Sequence, residues 1–302
     1  MKSKRPFEVE GKLINLSSLD KLLWKDPPIT KADLINYFIT AAPAALPYWQ
    51  NRPLTLTRYP NGIEQEGFYQ KNCPEYAPTW VKTYKTVADR TSVEYIVCND
   101  LATLVWLANQ AVIEVHPATY LANDPEHPSF AIIDLDPTAP LGFEAARDVA
   151  LKIKVILDQL GLRGYPKTSG ATGVHIYIPL KPQYTFDQTS LFVEIIGKLL
   201  IKFYPNLVTN ERLVRNRRGV YIDHLQNQPG KTIVGVYSPR PLPGAPVSTP
   251  VEWDELARID PSDFTVLTLP QRLKTKGDLF APVLRDQQTI DHVFDLLSAE
   301  LR

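Results

Sequence analysis

The chain has 302 residues, 44% of them apolar and 22% charged, a composition that excludes disorder at a length where one core begins to split into two. Lys plus Arg equals Asp plus Glu, 33 each, so no global charge draws the chain to nucleic acid and any polyanion site must come from local clustering. Cys73 and Cys98 lack metal-ligand spacing and form no disulfide framework, the basic start MKSKRPFEVEGK has no apolar stretch behind it, and no window reaches about 18 apolar residues, so the chain reads as soluble, cytoplasmic and without signal peptide or membrane span.

In chain order, the first element is a helix in TKADLINYFITAA (30–42). Thr30 can cap it, Asp33 completes a capping-box variant, Leu34, Ile35, Phe38 and Ile39 form one apolar stripe, and Pro43 is expected to end it. Strand-like runs follow at PLTLTRY (53–59), GFYQKN (67–72), WVKTYKTV (80–87) and VEYIVCN (93–99). DLATLVWLANQA (100–111) reads as a short apolar helix, and VIEVH (112–116) and SFAIIDLD (129–136) as strands. FEAARDVALKIKVILDQL (143–160) is a long helix with Gly161 placed for its C-terminal cap. YPKTS (165–169) and VHIYIPL (174–180) pair as a hairpin around SGATG, and TFDQTSLFVEIIGKLLIKFY (185–204) is a second long helix. VYIDHL (220–225) and TIVGVYS (232–238) return to strand patterning; a short helix at WDELARI (253–259) and a terminal one at QQTIDHVFDLLSAEL (287–301) close the chain. The 27 prolines imply many hard turns. Helices and strands mix without a regular βαβ rhythm, which predicts an α+β protein rather than a doubly wound parallel one. Residues 1–302 read as a single domain with room for two lobes.

The chemistry concentrates in three places. Asp134 and Asp136 lie two apart at the end of an apolar strand, so they share a face. Such a pair repels unless something neutralises it, and a hard divalent cation is one solution; a solvated strand end before Pro137 is the other. Asp223, near the end of another apolar run, offers a third carboxylate, enough for two metals about 3.5–4 Å apart as used in phosphoryl chemistry. KTSGATGVHIYIP (167–179) sets Ser169, Gly170 and Gly173 in a tight turn ahead of His175, a pattern that suits an anion nest of successive amides or an ordinary glycine hairpin. ERLVRNRRG (211–219) carries Arg212, Arg215, Arg217 and Arg218, and YSPR ends in Arg240; arginine forks match phosphates, and a solvated basic face is the plain alternative.

Taken in order, DLD, SGxxGxH, a basic stretch leading to YIDxLQN, and YSPR resemble the archaeo-eukaryotic primase superfamily, most closely the polymerase domain of the bacterial end-joining ligase, ligase D. LDKLLW, TKADLINYF, RPLTLTRYPNG, GFYQKNCPEYAPTW and PVSTPVEWDEL extend the resemblance over nearly the whole chain. The resemblance implies a primase-polymerase fold with mixed or antiparallel sheets flanked by helices. It implies a template-using nucleotidyltransferase that extends 3′ ends at gaps or breaks, in non-homologous end joining or gap filling, with two Mn²⁺ or Mg²⁺ ions and NTP or dNTP substrates, ribonucleotides preferred. Asp134, Asp136 and Asp223 match the metal-binding catalytic triad, and Ser169, Gly170 and His175 the triphosphate cradle, where Thr172 stands at a place some members give to a basic residue. Arg217, Gln226 and Arg240 match positions near the incoming nucleotide, although this chain is one residue shorter between Arg217 and Asp223. His116 matches a histidine near metals and nucleotide; a satisfied strand-end histidine before Pro117 is its alternative. Lys21 and Lys31 match lysines that hold the 5′-phosphate of the downstream strand, Lys31 with support from first-turn helix amides. Phe68 and Tyr69 match an aromatic pair set against DNA bases, one of the two being expected to face the core, and Lys71 matches a lysine nearby. With no ligase segment in view, the expected partners are DNA with a 5′-phosphorylated gap or end, a separate ATP-dependent DNA ligase and a Ku-like protein, at the bacterial nucleoid. A metal-dependent nuclease or phosphoesterase, a non-catalytic end-binding module, and a primase that starts chains without a primer are the rival readings.

Overall fold

The structure, a computed structural model, describes residues 4–88 and 91–300. The chain forms two compact units, each discontinuous in sequence: Met1–Ala118 with Thr232–Ser248 and Ser262–Gly277, and Thr119–Lys231 with Thr249–Pro261 and Asp278–Arg302. No helix among the described residues is long and apolar enough to cross a membrane.

The first unit opens with an antiparallel hairpin, β1 (Lys4–Val9) and β2 (Lys12–Ser17), then a short pair, β3 (Leu22–Trp24) and β4 (Ile29–Thr30). Helix α1 (Lys31–Trp49) starts as the capping box requires: Thr30 Oγ1 accepts from Asp33 N at 3.2 Å and Asp33 Oδ2 accepts from Thr30 N at 2.8 Å. It does not stop at Pro43. Pro43 and Pro47 both lie inside it, each deleting a helical hydrogen bond at a cost of about 3 kcal/mol in an isolated helix. Ala41, Ala42, Ala45, Tyr48 and Trp49 are buried along those turns, and burial of the large side chains, about 1.5–3 kcal/mol each, offsets much of the loss.

β5 (Pro53–Arg58), β6 (Phe68–Gln70), β7 (Lys82–Ala88) and β8 (Thr91–Val97) form a sheet in the order β6-β5-β8-β7, with β9 (Val112–Pro117) also on β5; every pairing is antiparallel. Helix α2 (Leu101–Asn109), capped by Asp100, is buried at all positions but its first. The segment 232–238, patterned as a strand, forms none. It crosses β9 through isolated contacts: Gly235 N donates to Val115 O, and Val115 N donates to Ser238 Oγ, both at 2.9 Å. A Cβ at Gly235 would lie 2.8 Å from Trp49 Nε1 and 2.9 Å from Pro117 Cδ, so the approach is too close for a side chain. In the middle of β9, buried Glu114 accepts from Arg240 Nε at 2.7 Å and lies 3.4 Å from His116 Nε2. Burial alone would raise the Glu114 carboxyl; the His116 contact and the Arg240 charge outweigh it and hold the group at about 2.

The second unit is built on a five-stranded sheet. After a short hairpin, β10 (Tyr120–Leu121) and β11 (Asp124–Pro128), the central strand β12 (Phe130–Pro137) lies between β14 (Val174–Pro179) and β16 (Val220–Ile222), with β13 (Tyr165–Thr168) and β15 (Val208–Thr209) at the edges. Only β15 and β16 run parallel. Helices α3 (Phe143–Gln159) and α4 (Phe186–Phe203) pack on β12; Gly161, at φ +67°, follows α3 as its cap demands. The helices expected at 253–259 and 287–301 span Trp253–Leu256 and Asp291–Glu300, residue 301 lying outside the described residues, and Leu269–Lys276 adds a helix of the first unit that sequence reading passed over.

β16 is too short to cover β12. It pairs only with Leu135 to Pro137, which leaves the backbone of Ile132 exposed on that side inside the core. Asn227 takes the place of a strand: its Oδ1 accepts from Ile132 N and its Nδ2 donates to Ile132 O, both at 2.8 Å, with the residue buried. Asn227→Leu fills the same volume but orphans two buried backbone groups, so it should lower unfolding free energy by about 2–3 kcal/mol, measured by denaturant titration with unchanged slope.

Glu114 gives a second expectation, of pH dependence. A carboxyl depressed from an ordinary value of 4.5 to about 2 contributes stability that is present above the higher value and lost as pH falls through the lower one. Glu114→Gln should therefore be less stable than the parent at pH 7, and the gap, on the order of 3 kcal/mol, should close between about pH 4.5 and 2. A gap that stays constant across that range would refute the assignment.

Candidate catalytic and nucleotide-binding site

Alternation along β12 turns Leu135 into the core and sends Asp134 and Asp136 to the opposite face. The Asp134 side chain is 22% exposed and that of Asp136 61%. Asp134 stands opposite His175 of β14, whose Nε2 is 3.3 Å from Asp134 Oδ1. β16 ends one residue before Asp223, and Asp223 N donates to Asp134 O at 3.3 Å. Asp223 is thus not a strand residue, as VYIDHL had suggested. It caps the short 3-10 helix His224–Asn227, its Oδ1 accepting from Leu225 N at 3.0 Å and from Tyr221 Oη at 3.2 Å.

Asp136 is raised above its ordinary value: surrounding protein strips part of its solvent and the Asp223 charge repels its ionised form, against the pull of Arg217. Arg217 Nη1 is 3.9 Å from Asp136 Oδ2, and the guanidinium lies 3.6 Å over the Tyr221 ring, with Nε held by Glu211 O at 2.9 Å. Among the described residues, no three His, Cys, Asp or Glu side chains stand close enough together to hold a metal ion as they are. Each carboxylate leans on a neighbour instead, Asp134 on His175, Asp136 towards Arg217 and Asp223 on its own cap. The donor set nevertheless fits a hard divalent cation. All three are carboxylates, and the repulsion between Asp223 and Asp136 is the state such a cation relieves.

The SGATG turn is folded on itself. Ser169 Oγ accepts from Ala171 N at 3.1 Å and Gly173 N at 3.0 Å, and Ser169 N donates to Gly173 O at 3.0 Å. The expected nest of successive amides is therefore partly consumed by the serine; the amides of Gly170 and Thr172 are not. Gly170 sits at φ +73°, and a Cβ on Gly173 would lie 2.7 Å from Leu135 O. That close approach lays the turn against β12 beside the aspartates. Gln226 lies half-buried in the 3-10 helix, its N donating to Asp223 O at 3.3 Å.

Sequence reading left out Lys167. It lies wholly buried on β13, with Nζ 2.8 Å from His175 Nδ1. The hairpin spacing around SGATG placed Lys167 opposite His175, so the signal was present.

The remaining residues belong to the first unit. His116 and Arg240 share Glu114, another residue the sequence did not single out. Lys21 Nζ bonds Pro60 O and Asn61 Oδ1. Lys31 is buried, Nζ donating to Asn109 O at 3.0 Å and to Ser17 Oγ at 3.4 Å. The first-turn amides of α1 do not await an anion: those of Lys31, Ala32 and Asp33 go to Lys21 O, Leu19 O and Thr30 Oγ1. Phe68 and Tyr69 are both exposed, 45% and 71%. The expectation that one faces the core fails because β6 is a three-residue edge strand. Phe68 stacks under Arg58 at 5.2 Å, Tyr69 lies 6.3 Å from His116, and Lys71 is exposed nearby.

The LigD primase-polymerase domain family matches residues 30–280. The bifunctional non-homologous end joining protein LigD of Bacillus subtilis is 37% identical over 278 residues, 91% of this chain and 45% of that protein. The multifunctional non-homologous end joining protein LigD of Mycolicibacterium smegmatis is 30% identical over 293 residues, 96% of this chain and 38% of that protein. The chain thus spans less than half the length of these relatives. Among solved structures, the polymerase domain from Mycobacterium tuberculosis ligase D, in complex with DNA, matches with a TM-score of 0.84 and 28% identity over 91% of this chain and 99% of that one. Its mixed α+β fold is the one found here, and the chain belongs to the LigD primase-polymerase domain family, a family of nucleotidyltransferases.

Proposed function

We propose that this chain is a DNA-repair polymerase, adding NTP or dNTP to 3′ ends at gaps or double-strand breaks, with ribonucleotides preferred. The observation that carries the reading is the joint placement of the carboxylates: Asp134 and Asp136 on one face of β12, and Asp223 tied by its backbone to Asp134. In the reaction the primer 3′ oxygen attacks the α-phosphorus, a new P–O bond forms, and the bond to pyrophosphate breaks. Two divalent cations, Mn²⁺ or Mg²⁺, would supply activation of that oxygen and neutralisation of the leaving pyrophosphate.

The chain's own residues bind and orient. Asp134, Asp136 and Asp223 offer the anionic oxygen donors. The Gly170 and Thr172 amides and His175 Nε2 are assigned as donors to phosphate oxygens. Ser169 holds that turn in shape through its bonds to the Ala171 and Gly173 amides. Arg217, flat on Tyr221, supplies a cation beside the acidic pair; Gln226, His116 and Arg240 are assigned to the nucleotide by family position. For DNA we assign Lys21 and Lys31 to a downstream 5′-phosphate, and Phe68, Tyr69 and Lys71 to bases and backbone. The exposure of both aromatics supports stacking, which tolerates any base. Lys31 must leave the Asn109 carbonyl to serve. The DNA complex of the M. tuberculosis relative supports a DNA substrate. A ligase activity to seal the extended strand and a Ku-like holder of break ends complete the proposed pathway, at the nucleoid in the cytoplasm.

The test is primer extension on a short gapped duplex whose downstream strand carries a 5′-phosphate or a hydroxyl. Asp136→Ala should cut extension by at least roughly a hundredfold without weakening the fold, since the raised Asp136 carboxyl is disfavoured in the folded state. Lys21→Ala should shrink the preference for the 5′-phosphate severalfold. Extension that survives Asp136→Ala would sink the assignment, and primer shortening would replace the polymerase with a nuclease.

A further inference from the structure

Lys167, His175 and Asp134 stand in one row across three neighbouring strands: Lys167 of β13 is registered with His175 of β14, and His175 with Asp134 of β12. Lys167 is 0% exposed and His175 5%. Nζ of Lys167 lies 2.8 Å from His175 Nδ1, and His175 Nε2 lies 3.3 Å from Asp134 Oδ1. A lysine ammonium has three donors and no acceptor. With Lys167 ionised as that ammonium, Nδ1 accepts, and the ring proton sits on Nε2 and faces the carboxylate. The opposite tautomer would set a bare nitrogen lone pair against the Asp134 oxygens and against any phosphate on that side. A long cationic side chain in a core where a methionine would fill the space points to a role for its charge and its donors.

We propose that Lys167 is a positioning residue: it fixes His175 in the Nε2–H form and holds the ring so that this N–H faces Asp134 and the phosphate side of the site. The effect on turnover rests on the polymerase reading above; the tautomer assignment rests on the row of contacts alone. Lys167 itself touches no reacting atom. It acts through His175, as the outer partner of a ligand-bearing imidazole does elsewhere.

The experiment uses the full chain labelled with ¹⁵N-histidine and long-range ¹H–¹⁵N correlation spectra. The chain has five histidines, and the His175 signals are those lost in His175→Gln. The parent should show Nε2 protonated and Nδ1 bare. Lys167→Met should mix the tautomers or move the proton to Nδ1, and lower kcat for nucleotide addition about 10–100-fold. Lys167→Arg, which like lysine has donors and no acceptor, should keep the Nε2–H signature and part of the rate. In a His175→Gln background, Lys167→Met should add less than about a twofold further loss, because the two residues act as one. A proton on Nδ1 of the parent, with or without one on Nε2, overturns the proposal. So does an unchanged tautomer in Lys167→Met, or the same fold loss in both backgrounds. If Lys167→Met does not fold, the spectra of the parent and Lys167→Arg decide: bare Nδ1 in both supports the role, and Nδ1–H in either refutes it. If the parent extends no primer, the polymerase reading falls and the spectra still judge the tautomer.

Discussion

Two carboxylates that share a face at the end of a buried strand repel, and much of the second unit is arranged around that repulsion. β12 must be apolar on both sides to sit at the centre of its sheet, yet its last turn of pleat carries Asp134 and Asp136 towards one side. The structure answers with near neighbours: a histidine on one flank, an arginine on the other, and a cap turn that occupies the third carboxylate. The answer is partial. Asp136 stays above its ordinary value, chiefly because the surrounding protein strips solvent from it, with the Asp223 charge adding to the rise against the pull of Arg217.

The strand is held to this task by polar groups that imitate missing structure. Asn227 supplies the hydrogen bonds of a neighbour strand that stops short. Ser169 closes the glycine turn through its hydroxyl, and Gly173 lets that turn touch the β12 backbone where any side chain would collide. Lys167 is buried behind the histidine as a second row. Each of these is costly alone and tolerable only with its partner in place.

Much of this was legible in the sequence because it follows from local chemistry. The Thr30 and Asp33 box, the hairpin around SGATG, both long helices and the shared face of Asp134 and Asp136 all come from spacing and short-range hydrogen bonding. What escaped depends on distant contacts. Pro43 reads as a stop, but burial carries α1 past it. TIVGVYS has strand composition, yet it meets β9 only through single contacts of Gly235 and Ser238 with Val115. Alternation predicted one buried aromatic at Phe68 and Tyr69, but an edge strand of three residues covers neither. Glu114 and Lys167 interrupt apolar strands, and a charge in such a run reads as noise until the partner that justifies it is seen.

The two units also trade the chain repeatedly. The first takes segments as far apart as residue 4 and residue 277, and the second fills the intervals. Ties such as Trp24 Nε1 to Leu242 O span 218 positions, and Arg240 to Glu114 spans 126. Closing loops of that size is entropically slow, and a chain emerging from the ribosome cannot finish the first unit until residue 277 has been translated. During synthesis the apolar face of α1 waits for late-arriving residues. The first unit is therefore expected to fold only after residue 277 has left the ribosome, with its earlier apolar faces open to chaperones until then.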